Sequence, residues 1–281
     1  MIPLDRFAKW HDTLDARART YLDEGDFNAY LAIPEPERLE QLKALLEKPI
    51  ARFTPINEVF FRARWAEVLR TVHPARGLVL LEIASGDADM IPQVMARDDP
   101  GSRYVTANAN RLLTASLREK VRGLPLEIQV IEDDAATIDR HLAAESVDVV
   151  AFQHGVNDVL QAILCDREGV DTVQSDWMDT LPTMIEIVRR ELDQNTFETN
   201  VKPSFLSLLR SLLAVLRQDG VIVMSHYMFQ LDLDWGYPPA LWQDLIPIVR
   251  DWVKDLPECR EVGFEGFNQQ WWLFLARKSS T

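Results

Sequence analysis

Glu82-Ile83-Ala84-Ser85-Gly86-Asp87-Ala88-Asp89 is the stretch whose reading decides the fold of this chain. It continues an apolar run that begins at Leu78, short and nearly unbroken, in the manner of a strand buried on both faces. It then opens into a helical segment. Small residues recur at every second position (Ala84, Gly86, Ala88), so the backbone can approach a ligand closely, and Gly86 can adopt a φ closed to other residues. A strand, a tight turn and a helix in that order aim the helix's first N–H groups at the carboxyl edge of a sheet.

Outward from this turn the grammar is regular. Strand-like runs at 78–84, 103–108, 127–131, 147–153 and 220–225 alternate with helical segments near 88–97, 111–122, 135–143, 156–165, 177–193 and 204–217. Such alternation implies βαβ units and a doubly wound, mostly parallel sheet. Glu261-Val-Gly-Phe-Glu265 and Trp271–Arg277 lie too close together for a crossover helix, so they are expected to close the sheet as an antiparallel hairpin. The fold class expected is therefore α/β, seven strands with a C-terminal antiparallel hairpin, plus a helical N-terminal appendage. Residues 1–75 form that appendage: Phe7, Trp10, Leu14, Ala18 and Tyr21 share one helical face, as do Leu39, Leu42, Leu45 and Leu46. Residues 76–281 form the Rossmann-like domain, with a helical insertion at about 156–203. An insertion of that length serves as a functional wall or as an oligomerising helix.

Composition limits the function classes. With 30 basic and 44 acidic side chains the formal charge is −14, which disfavours a nucleic-acid partner because the overall field repels phosphate. At 47% hydrophobic and 26% charged residues, this is ordinary globular material. Cys165 and Cys259 lack disulfide or metal spacing and read as buried free thiols of a reducing compartment. No apolar run approaches a membrane span, and the acid in Met1-Ile-Pro-Leu-Asp-Arg6 departs from a secretory leader. A cytoplasmic protein with no membrane partner is expected; monomer and homodimer both stay open.

Two cofactors can be weighed against the turn. A dinucleotide fingerprint needs a third glycine where Asp89 stands, and a carboxylate at Glu82 suits a cation better than a pyrophosphate. The pattern acid-x-small-x-Gly-x-small, in a seven-stranded α/β order with a terminal hairpin, resembles class I S-adenosylmethionine-dependent methyltransferases over residues 77–278. Ala84 and Ala88 replace the first and third glycines of that family's motif. The resemblance implies S-adenosylmethionine as cofactor, with Glu82, Ala84, Ser85, Gly86, Asn108 and Ala109 around its methionine and ribose portions. Asp134 and Ala135 would lie by its adenine, and Gln153 would face the methyl donor. Asn108 stands where the family carries an acid, and it binds a hydroxyl without charge assistance.

Methyl transfer from a sulfonium depends mostly on positioning, and a base is needed only where the acceptor must lose a proton. His154 and Asp158 follow the fourth strand and His226 follows the fifth, all at the carboxyl edge, so these are the candidate catalytic groups. No tight ligand spacing among them supports a metal. Aromatic residues of Trp235-Gly-Tyr237-Pro-Pro239 are expected on a loop over the same edge, as a small-molecule pocket or as core. The function implied is methyl transfer to a small molecule. A catalytically silent methyltransferase-like binding module is the alternative, and a nicotinamide oxidoreductase fits less well because of Asp89.

Overall fold

The computed structural model describes residues 4–47, 50–51 and 54–278; the leader reading at Met1-Ile-Pro3 falls outside them. Four helices come first: α1 (Leu4–Tyr21), α2 (Glu24–Ala32), α3 (Glu35–Glu47) and α4 (Pro55–Val72), with a two-residue strand β1 (Ile50–Ala51) before α4. Then follow β2 (Val79–Ile83), α5 (Met90–Asp98), β3 (Arg103–Ala107), α6 (Arg111–Lys120), β4 (Glu127–Ile131) and β5 (Val147–Gln153). The insertion supplies α7 (Val156–Glu168), α8 (Trp177–Asp193) and α9 (Phe197–Val215). The chain ends with β6 (Leu216–Ser225), β7 (Met228–Phe229), α10 (Gln230–Trp235), α11 (Pro239–Trp252), β8 (Cys259–Glu261) and β9 (Trp272–Arg277).

Seven strands form one sheet in the order β4-β3-β2-β5-β6-β9-β8. The first five run parallel, and β9 pairs antiparallel with both β6 and β8. This is the doubly wound sheet with a terminal hairpin that the alternation of runs implies. Winding reverses between β2 and β5, which makes the gap above them the topological switch point, where ligands settle in open α/β sheets.

Period-two alternation sorts the strand residues between two hydrophobic layers. Leu81, Ile83, Val150, Phe152, Ile222, Met224, Leu273 and Leu275 face a layer built with α7, α8, α9 and α11. Leu80, Tyr104, Val149, Ala151, Val221, Val223, Trp272 and Phe274 face the other, which is continuous with Trp10, Leu14, Tyr30, Leu42, Phe60 and Trp65 of the N-terminal helices. Helices α1 to α4 thus cover one face of the sheet. Phe61 extends the contact to the carboxyl edge, 4.9 Å from the ring of Tyr227.

Four local expectations are corrected. The strand read at 220–225 begins at Leu216: Leu216 pairs with Val147 and Val221 with Val149, so Gln218-Asp219-Gly220 is a bulge within the strand, with Asp219 at φ 63°. The first hairpin strand is Cys259–Glu261, and 261–265 lies mostly in the connection. The helix read at 135–143 is a 3-10 helix over Ala135–Arg140. The aromatic loop around Trp235 belongs to two helices, α10 and α11, joined through Gly236 at φ 93°; the prolines there start α11 at its first turn, where no N–H partner is lost.

Candidate active site at the carboxyl edge

The turn after β2 is built from alternating left-handed residues, Ala84 at φ 54° and Gly86 at φ 57°. Ala84 N–H donates to Ala107 O at 3.0 Å, which anchors the turn to β3. The Ser85 hydroxyl, 5% exposed, pairs with Thr106 Oγ1 at 2.8 Å and so looks inward. Glu82 is 1% exposed and its Oε2 accepts a hydrogen bond of 2.7 Å from the Tyr104 hydroxyl. Burial pushes its pKa up to about 8, partly offset by that hydrogen bond and reinforced by Asp89. Glu82 therefore sits beneath the turn, inside the layer shared with the N-terminal helices, as a strut under the loop backbone.

Asn108 ends β3, and its Nδ2 donates to Gly86 O at 2.7 Å, so its amide ties the ends of β2 and β3 together; Oδ1 keeps only a long bond of 3.4 Å from Asn110 N. Ala109, half-buried, follows it. Asn110 caps α6 through Leu113 N and also donates to Thr172 O and Ser175 O, at 2.9 and 3.0 Å. The segment between α7 and α8 is thereby strapped across the end of β3. At α5 the N-cap residue Asp89 makes no side-chain cap, so the first N–H groups of that helix have no carboxylate of their own. Asp134 is exposed and caps its own 3-10 helix through Ala136 N at 2.9 Å, while Ala135 packs toward the core.

The second turn meets the first directly. A Cβ on Gly155 would lie 2.6 Å from Ile83 O and 3.2 Å from Ala84 O, so only glycine lets the β5 turn seat against the β2 turn. His154, just before it, is held left-handed at φ 58°, a conformation that costs energy for a residue with a Cβ and here turns the imidazole toward β6. Its Nε2 donates to Tyr227 O, which leaves Nδ1 as the unoccupied ring nitrogen. The ring lies 4.6 Å, centroid to centroid, from that of His226. Gln153, half-buried, lies opposite Ser225 in the register.

Solved structures to which the chain is similar include a SAM-dependent methyltransferase from Aquifex aeolicus, at 12% identity over 75% of this chain and 87% of that one, with a TM-score of 0.47. The CurJ carbon methyltransferase is 13% identical over 98% of this chain and 70% of its own, TM-score 0.46. An rRNA methylase from Streptococcus thermophilus is 11% identical over 78% and 95%, TM-score 0.41. No protein-family model matches the chain, and no curated protein sequence does.

The structure adds Asp232, which the sequence pattern did not single out, and brings in Tyr237 from the aromatic segment expected over this edge. Asp232 of α10 is 7% exposed and accepts from Phe229 N at 2.7 Å. The Tyr237 hydroxyl donates to Gln161 Oε1 at 2.5 Å, and its ring stacks on Trp242 at 4.2 Å. Burial raises the pKa of Asp232, and it raises that of Asp158 to about 7, with Asp232 reinforcing the latter. Burial lowers the pKa of His154 against the pull of Asp232, and lowers that of His226 further, His154 adding to it. A Trp242 backbone group opposes the His226 shift without meeting hydrogen-bond geometry. His154, Asp158 and His226 are thus brought together, with Asp232 and Tyr237 as additional members. Asp232 lies three residues after Phe229, an acid at helix-cap spacing, and that was the available signal.

Among the described residues no group of three or more His, Cys, Asp or Glu is placed to hold a metal ion, and no helix is long and apolar enough to cross a membrane. Two cavities open elsewhere on the surface. One of about 410 Å³ lies between α8 and Trp235, and one of about 450 Å³ between α1, α4 and Phe267; neither is lined by the 84–89 turn.

Proposed function

We propose that this chain transfers a methyl group from S-adenosylmethionine to a small-molecule acceptor. The observation that carries the reading is the pair of turns at the switch point: an acid-small-Gly-small turn with two left-handed residues, and a His-Gly turn packed against it. The residues present fit the cofactor. A Cβ on Gly86 would meet nothing closer than Leu113 Cδ1 at 3.7 Å, so the glycine leaves open approach to its backbone. The uncapped N–H groups of α5 suit the methionine carboxylate, and the half-buried carboxylate of Asp89 suits its ammonium group, Asp87 being already paired with Lys120 at 2.6 Å. When bound, the cofactor supplies a methyl carbon on a cationic sulfur, open to in-line displacement.

This chain's own residues then do the positioning. Asn108 fixes the Gly86 carbonyl, and Glu82, with Tyr104, supports the turn from below. Ala109, Asp134 and Ala135 border the adenine side, and Gln153 stands at the end of β5 beside the reacting centre. His154 Nδ1 and the Asp158 carboxylate are the two groups that would take a proton from an acceptor that must lose one, with His226 flanking them. Held this way, the reactants gain chiefly from orientation.

A second reading, a silent binding module, is favoured by one observation: the Asn108 amide and the Asp134 carboxylate are already engaged within the chain. Calorimetric titration with S-adenosylmethionine and S-adenosylhomocysteine decides between them. A saturable one-to-one heat is expected for both ligands; no heat at high micromolar ligand overturns the methyltransferase reading. The net charge of −14 supports a small acceptor over a polyanionic one.

A further inference from the structure

Four buried polar atoms in the second turn's surroundings have no hydrogen-bond partner: His226 Nδ1 and Nε2, Trp242 Nε1 and Asn157 Oδ1. His226 is 1% exposed, Trp242 2% and Asn157 6%. A buried polar atom left unpaired costs about 1–3 kcal/mol, and two of these four, Asn157 Oδ1 and the unprotonated nitrogen of the neutral His226 ring, are acceptors that a hydrogen-bond donor on a ligand would complete. The His226 ring is flanked by His154 at 4.6 Å and by Trp242 at 6.0 Å. The Asn157 amide donates to Asp158 Oδ1 at 2.8 Å, so the unpaired Oδ1 of Asn157 sits beside that carboxylate. The unpaired atoms and the two acids therefore belong to one cluster.

Its charge is one-sided. Asp158 of α7 is raised by burial and then by the nearby Asp232 of α10, and among the described residues neither acid pairs with Lys or Arg. The groups facing them are His154 just after β5, Gln161 from α7, His226 just after β6, and Tyr237 and Trp242 from the α10–α11 corner. None is a fixed cation. The Arg189 side chain of α8 reaches this corner only at Gly236 O. Two carboxylates beside a stacked Tyr–Trp pair, with an open amide oxygen at Asn157 and an acceptor nitrogen on His226, have the chemistry of an ammonium receptor. His154 and Asp158 keep some accessible surface, so solvent reaches the cluster from their side.

We propose that this cluster is the acceptor pocket and that it takes an amine, bound as its ammonium form between Asp158 and Asp232. The inference rests on the methyltransferase reading for its chemistry. The ammonium N–H bond breaks with its pair left on nitrogen, and the proton passes to the Asp158 carboxylate. That pair then forms the N–CH3 bond while the S–CH3 bond breaks and its electrons stay on sulfur. The product leaves as an N-methylammonium ion, and Asp158 returns its proton to water.

The test uses the full chain without cofactor, with benzylamine and the uncharged benzyl alcohol as probes. The readout is the indole N–H resonance of Trp242, assigned through Trp242→Phe, together with calorimetry. Benzylamine is expected to shift that resonance saturably and to bind at least tenfold more tightly than the alcohol. Asp158→Asn and Asp232→Asn should each weaken it tenfold or more, whereas Asp251→Asn, on the exposed face of α11, should not. Asn keeps the acceptor that Asp232 offers to Phe229 N, and melting curves confirm that both variants fold. Equal binding of the alcohol, retention of affinity in both Asp variants, or no shift at all overturns the proposal. Titration of S-adenosylmethionine into the same sample separates the two ideas. Cofactor binding without amine binding sinks only the amine pocket, and amine binding without cofactor binding sinks only the methyltransferase reading.

Discussion

Ala84 is held at φ 54°, where the motif's family places glycine, and a residue with a Cβ pays roughly 1–2 kcal/mol for that conformation. Ala84→Gly relieves the strain and returns some of it as unfolded-chain entropy, so a gain of about 1 kcal/mol is expected in denaturant unfolding, with the slope unchanged. An equal or lower stability would mean that the turn is not strained. Gly155 behaves in the opposite sense. A methyl there would sit 2.6 Å from Ile83 O, a backbone atom that cannot swing aside. Gly155→Ala is expected to cost about 2–3 kcal/mol and to separate the two turns, lowering cofactor affinity as well as the melting temperature. An unperturbed melting curve would contradict the close seating of the turns.

At the scale of elements, the strands were legible because burial on both faces leaves a near-continuous apolar run, and β4 and β5 match the pattern residue for residue at 127–131 and 147–153. The α8 helix is equally plain at 177–193, since its apolar residues keep a strict stripe. What escaped is shaped by contacts that sequence spacing does not carry. The Gln218-Asp219-Gly220 segment looks like a turn, yet it is a bulge because its flanks still pair with β5. Helices α10 and α11 hide behind Gly236, Pro238 and Pro239, which read locally as loop. The site was legible in its turns and its histidines, which lie at strand ends. Asp232 and Trp242 were not, because a short helix brings them back from far along the chain. The strap on Asn110 belongs to this scale too. Asn110→Ala removes a helix cap and both tethers to 172–175, so a loss of about 1–2 kcal/mol is expected. The segment 170–176 should also be cleaved faster by protease at native temperatures, and unchanged cleavage would show that the strap holds nothing.

At the scale of the molecule, the N-terminal helices, the sheet and the site share one energetic fate, because Glu82 lies in the layer beneath α4 and under the candidate turn at once. The −14 charge is mostly solvated surface, and the groups that make stability depend on pH near neutrality are buried. Glu82, at about 8, and Asp158, at about 7, hold protons in the folded chain that they lose in the unfolded one. A carboxyl raised in this way favours folding at low pH, and that contribution is lost as pH climbs from the unfolded value toward the folded one. His154 and His226 are lowered, so their effect runs the other way and acts only below their unfolded value, near 6.5. Between about pH 6.5 and 8 the carboxyls therefore act alone. Stability is expected to fall across that window by on the order of 1 kcal/mol per pH unit. Glu82→Gln keeps an acceptor for the Tyr104 hydroxyl but cannot ionise, so it should flatten much of the fall and leave the melting temperature at pH 6.5 little changed. Asp158→Asn should flatten it further, any remaining fall belonging to Asp232 and Glu58, which burial also raises. Melting curves of the three proteins, recorded at half-unit steps from pH 6 to 9, read this directly, and a parallel decline in all three would place the titrating groups elsewhere in the molecule.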